Sequence, residues 1–147
     1  MILVLVHHAD AVGPDVDAQR PLSAHGRVHA EKLAEQAKAA GVVPAAIWHS
    51  GKLRARQTAE PFYRLCNPFA EFRMVRGLLP DDPPELIRDA LSGEANDLML
   101  VGHMPHIRAL AQLLLPSAAA FPLHGMIVME REGEGWRELW RKGTTDN

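Results

Sequence analysis

Ile2-Leu3-Val4-Leu5-Val6-His7-His8 and Leu98-Met99-Leu100-Val101-Gly102-His103 follow one plan: a short apolar run that ends on histidine. Runs of this length, rich in Val, Leu and Ile, read as strands buried on both faces, as in a parallel sheet covered by helices. In such sheets ligands bind outside the carboxyl ends of the strands. Two strands that end in histidine therefore aim two imidazoles at one crevice.

Outward from these runs, helical and strand patterns alternate along the chain, with no repeat and no low-complexity linker. That order predicts an α/β fold, a three-layer sandwich around a mostly parallel central sheet. Residues 12–22 carry Gly13, Pro14 and Pro21 and read as a loop. Ser23 is an N-cap candidate for a helix rich in Ala, Glu and Lys, which runs to Ala40 and is closed by Gly41. Ala45-Ala46-Ile47-Trp48-His49 is a further strand, after which Ser50 is expected to cap a helix through Thr58 that Pro61 bends or restarts. Residues 72–79 form a third strand, residues 84–91 a helix begun by proline, and residues 105–115 the helix after the second histidine strand. Met126-Ile127-Val128-Met129 and Trp136-Arg137-Glu138-Leu139-Trp140 make an antiparallel edge hairpin, with Trp136 and Trp140 on one face as apolar cover.

At 147 residues the chain reads as a single domain, 1–147, with one site. A net charge of -2 argues against nucleic acid or an anionic membrane as the partner. The expected ligand is a discrete anion. The lone Cys66 excludes an internal disulfide framework, and the N-terminal apolar run is too short for a membrane span or a signal peptide. A cytoplasmic location is expected.

Ser50-Gly51-Lys52-Leu53-Arg54-Ala55-Arg56-Gln57-Thr58-Ala59 follows a strand and opens a helix. A helix start offers free N–H groups and a positive dipole end, and an arginine there adds planar donors suited to phosphate oxygens. Arg54 and Thr58 share a face, whereas Arg56 lies nearly opposite and reads as solvated surface.

Together these segments resemble the histidine phosphatase superfamily, whose members carry Arg-His-Gly after the first strand, Ser-x-x-x-Arg-Ala-x-x-Thr at a helix start and Gly-His after a later strand. Arg20-Pro21-Leu22-Ser23 is similar to the Arg-Pro-Leu-Thr segment of the short SixA-type phosphohistidine phosphatases, and the resemblance covers residues 2–115. It implies a phosphoglycerate mutase-like fold without a cap insertion, a cofactor-independent phosphatase, and a phosphorylated protein histidine as substrate. It makes His8 the nucleophile, and has Arg20, Arg54 and His103 hold the phosphoryl oxygens. Fixed cations and donors are what such a transfer needs, and neither a cofactor nor a metal enters the scheme.

One departure matters. The family's Arg-His-Gly stands here as His7-His8-Ala9, so a permanent guanidinium fork is lost. His7 is expected to serve as a conditional cation, protonated once a bound phosphate raises its pKa. Ala9 is harmful only if the backbone there needs positive φ. The substitution motivates a second reading, a catalytically impaired module that binds phosphate or a phosphoprotein; small phosphate esters are a further substrate class. A third reading is a metal hydrolase built on His7, His8, Asp10 and His103. Asp81, Asp82 and Glu85 are candidates for a leaving-group acid but read better as a polar turn. His25 and His29 read as exposed, His49, His106 and His124 as isolated, with His106 close enough to His103 to border the site.

Overall fold

The computed structural model describes residues 1–143. In chain order it contains β1 (Ile2–His7), α1 (Ala24–Ala39), β2 (Ala46–His49), α2 (Leu53–Cys66), β3 (Glu71–Met74), α3 (Glu85–Leu91), β4 (Leu98–Gly102), α4 (His106–Leu114), β5 (Met126–Glu132) and β6 (Gly135–Lys142). The strands form one sheet in the order β3-β2-β4-β1-β5-β6. β3, β2, β4 and β1 are mutually parallel, while β5 pairs antiparallel with β1 and β6 antiparallel with β5.

The continuous apolar runs are explained by the two cores they serve. Leu3, Leu5, Leu98 and Leu100 point to one face, where Ile87 of α3 and Ile107 and Leu110 of α4 cover them. Val4, Val6, Met99 and Val101 point to the other, against Leu33 of α1 and Ala55 and Phe62 of α2. Period-2 side chains on a strand buried from both sides leave no polar position to fill. The architecture is the three-layer sandwich expected from the sequence.

Ser23 caps α1 as predicted, its side-chain oxygen accepting from the Gly26 N–H, and Gly41 leaves the helix at φ 81°. Four local expectations change. Ser50 does not cap α2, whose N-cap is Lys52; the Ser50 hydroxyl instead bonds the His103 ring. α2 also runs through Pro61 to Cys66, because its buried stripe continues past the proline to Phe62 and Cys66. Burying Phe62 alone contributes about 1.5–3 kcal/mol, comparable with the proline penalty of about 3 kcal/mol. β3 stops at Met74, since Gly77 at φ 100° turns the chain out of the sheet. Finally, Trp136 packs into the α3/α4 core and Trp140 into the α1/α2 core. The register shifts between Val128 and Met129, where Val128 pairs with Trp140 and Met129 with Glu138. The extra residue, Leu139, is a β-bulge that reverses the facing of everything beyond it.

Candidate functional site

β1 and β4 are neighbours, with His7 opposite Gly102. The helix after β1 covers one face and the helix after β4 the other. From the carboxyl ends of these two parallel strands the chain continues toward opposite edges of the sheet, to β2 after β1 and to β5 after β4, the place where such sheets bind ligands. The His8 N–H donates to the Gly102 carbonyl at 3.0 Å, and the His8 and His103 rings lie 5.1 Å apart.

His8 is held by its own loop. Its Nδ1 carries the hydrogen, because it lies 2.7 Å from the Ala9 carbonyl, which can only accept. The lone pair of the neutral ring is then on Nε2. Burial, and next the charge of Arg54, lower the His8 pKa to about 4, although the Ala9 bond opposes that shift. At neutral pH the ring is an uncharged base with a free nitrogen. The loop is anchored from α2: the Ala9 N–H donates to Thr58 Oγ1 at 3.0 Å, and that hydroxyl donates to the Arg54 carbonyl at 2.8 Å. The Thr of the helix-start motif therefore fixes the His8 backbone relative to Arg54. Ala9 is fully buried and is not among the residues with positive φ, so its methyl introduces no backbone strain.

Arg20 and Arg54 both act electrostatically on His8, and Arg20 on Arg54, so both guanidinium charges lie within electrostatic reach of this ring. Among the described residues, neither has a carboxylate within ion-pair distance. Arg20 sits at φ 51°, its Nε–H donating to the Val12 carbonyl at 3.0 Å. Arg54 Nε is buried without a protein partner, as is Nδ1 of His103. The other nitrogen of His103 is 2.6 Å from Ser50 Oγ. Burial, then the charge of His8, lowers the His103 pKa to about 3. Two permanent cations thus stand among neutral imidazoles, and two buried nitrogens lack partners: a donor set for an anion.

His7 departs from its expected role. Its Nδ1 accepts a 2.8 Å hydrogen bond from the His124 N–H, so its hydrogen must reside on Nε2. Burial, then the charges of His8 and His124, push its pKa down to about 2. A second proton would have to displace the backbone donor. In the free protein His7 is a neutral donor at Nε2.

His124 is the residue that sequence reasoning missed. Its ring stacks on His7 with centroids 4.7 Å apart and planes at 7°, and its Nδ1–H donates to the His8 carbonyl at 2.7 Å. One ring nitrogen from each of His7, His8 and His124 lies within 4.8 Å of the others. Two of these rings have the backbone-anchored Nδ1–H that a metal-binding histidine uses, but His7 has its lone pair committed to the backbone. Asp10, weighed as a metal ligand, is turned away, accepting from the Ser23 hydroxyl at 2.7 Å. This donor set does not fit the metal-hydrolase reading. Of the remaining candidates, Arg56 is exposed, Asp82 accepts from the Leu79 N–H within its own turn, and His106 is buried and acts electrostatically on His103.

Residues 7–78 match the family model described as Histidine phosphatase superfamily (branch 1). Over that segment, 72 of the chain's 147 residues, the protein is similar to the superfamily, and the match marks it by class as a phosphatase, a hydrolase of phosphoryl bonds. The match ends before Gly102-His103, which the fold brings to His8. Curated proteins give no match. Among solved structures, the protein histidine phosphatase SixA complexed with tungstate superposes with a TM-score of 0.85 at 22% identity, over 98% of this chain and 97% of that one. A protein of Agrobacterium tumefaciens described as a phosphohistidine phosphatase SixA gives 0.80 at 24%, over 97% of both chains. Phosphoserine phosphatase of Entamoeba histolytica, in complex with 3-phosphoglyceric acid, gives 0.74 at 15%, over 98% of both. At these identities the likeness is one of fold.

Proposed function

We propose that the chain is a phosphohistidine phosphatase that works through a phosphoenzyme on His8. The observation that carries the proposal is the state of His8: Nδ1–H tied to Ala9, Nε2 unprotonated, within the field of two guanidiniums that pair with no carboxylate among the described residues. A neutral imidazole held in this way attacks without a separate base. His8 Nε2 forms a bond to phosphorus as the bond to the leaving imidazole nitrogen breaks, and that nitrogen takes a proton from water. Arg20, Arg54 and His103 hold the equatorial oxygens, where charge gathers in the transition state. A water then attacks the phosphoryl group on His8, inorganic phosphate departs, and the neutral ring is restored.

The preference for a phosphorylated histidine rests on the leaving group and on access. An imidazole leaves more easily than an alkoxide, and Asp82 is engaged within its own turn by the Leu79 N–H, so the site suits a substrate that needs little acid catalysis. A single domain without a cap leaves the crevice open to a protein surface. A cytoplasmic setting is part of the proposal, supported by the one free, buried Cys66; among the described residues no helix is long and apolar enough to cross a membrane.

The test compares kcat/KM for a phosphohistidine-bearing protein with that for phosphoserine peptides and small phosphate esters. The proposal expects the N–P substrate to be preferred by at least about tenfold. Preference for a small ester would move the protein to the small-molecule reading. Tight phosphate binding without turnover of any substrate would favour the binding-module reading that His7 first suggested.

A further inference from the structure

The backbone at His124 is left-handed, at φ 52°, in a residue that is not glycine. This conformation is strained for an L-residue, and such outliers persist where the surroundings over-determine them. Here the surroundings are the site itself. The His124 N–H donates to His7 Nδ1, and its ring N–H donates to the carbonyl of His8. One residue thereby sets which nitrogen of His7 carries hydrogen and braces the peptide that follows the nucleophile.

In all three rings Nδ1 is committed to the backbone, so Nε2 is the nitrogen left for a ligand. One nitrogen of each ring, Nδ1 or Nε2, lies within 4.8 Å of the others, so the three rings converge on one small volume. The His7 and His124 rings are within 7° of parallel. On these stacked rings His7 offers a fixed donor at Nε2 and His124 a lone pair at its own Nε2, two polar groups side by side at the place of the missing guanidinium.

We infer that His124 is a phosphoryl-binding residue, and that the stacked pair of His7 and His124 takes the place of the arginine absent from position 7. His7 donates its fixed Nε2–H to one oxygen. His124 Nε2 shares a proton with a second oxygen, carried by either partner. The rings packed nearest His124 are those of His7 and His8 at the end of β1, with centroids 4.7 and 6.0 Å away. The inference rests on reading the crevice as a phosphoryl site, and its test separates the two.

The probe is orthovanadate, titrated into the full chain labelled with nitrogen-15 in its histidine rings. In the free protein His7 is expected to show an acceptor Nδ1 and a protonated Nε2. With vanadate, the Nε2 resonance of His124 is expected to move toward a hydrogen-bonded N–H as those of His7 and His8 shift. Shifts at His8 and His103 with His124 silent would overturn the inference and leave the phosphoryl site standing. No response from any ring would remove both. His124→Asn gives a second measure, because asparagine tolerates the left-handed backbone while removing the imidazole. Its vanadate inhibition constant is expected to rise roughly tenfold or more at unchanged Tm; an unchanged constant would confine His124 to a structural role.

Discussion

Arg54 is the residue whose removal separates phosphate binding from folding most cleanly. Its Nε is buried without a protein partner, and among the described residues its guanidinium pairs with no carboxylate, so Arg54→Ala removes a donor to the ligand and little else. Loss of a charge-assisted bond of about 1.5–3 kcal/mol should raise the vanadate inhibition constant roughly 10- to 150-fold, with Tm nearly unchanged. An unchanged constant would take Arg54 out of the site. The account of His7 makes the opposite kind of prediction. His7→Arg restores a permanent charge on paper, yet the ring it replaces is buried, stacked on His124 and bonded to its backbone. Overpacking should cost about 1–3 kcal/mol and slow turnover. Adding His124→Gly, which makes room and suits the left-handed backbone, should recover activity; a single His7→Arg faster than wild type would contradict the stacked pair. Position 8, 20, 54 and 103 were legible as chemistry because each sits at a strand end, loop or helix start with a known bias. His124 was not, since it meets His7 across 117 residues and only a backbone angle gives it its role.

At the scale of elements, the site depends on two packing contacts between helices and the loop after β1. Thr58→Val keeps the shape of α2 but removes the acceptor for the buried Ala9 N–H. An unsatisfied buried donor costs about 1–3 kcal/mol and frees the loop that orients His8. Stability and kcat should fall together, and Thr58→Ser should restore both; full kcat in Thr58→Val would show that the anchor is dispensable. Gly26 meets the second contact. A Cβ there would overlap the Asp10 carbonyl, so Gly26→Ala should push α1 from the loop, lowering Tm and activity. The strands, the cap at Ser23 and the exit at Gly41 were readable because periodicity and capping act locally. Pro61, Ser50 and the bulge at Leu139 were not. In each, a contact distant in sequence decides the outcome: the buried stripe beyond the proline, the His103 ring, and the pairing of β5 with β6.

For the whole molecule, three buried imidazoles tie stability to pH. The folded-state pKa values of His7, His103 and His8 are about 2, 3 and 4, below the ordinary value of 6.5. On acidification the unfolded chain takes up protons first, so stability is full above about pH 6.5 and falls as pH drops toward 4. Each ring contributes up to about 1.4 kcal/mol per pH unit in that window. Urea midpoints in phosphate-free buffer should fall steeply between pH 7 and 5, with a shallower slope in His7→Asn; identical midpoints would mean that the rings are not buried as neutral groups. The same neutrality makes His8 a nucleophile, and that is the central claim. Its direct measurement is rapid quenching of the enzyme during turnover of a phosphohistidine-bearing protein, followed by mapping of phosphate on the peptide that contains His7 and His8. One acid-labile, base-stable phosphoryl group on His8 Nε2, absent from His8→Ala, is the predicted result. Phosphate release without that intermediate, or equal labelling of His8→Ala, would contradict it.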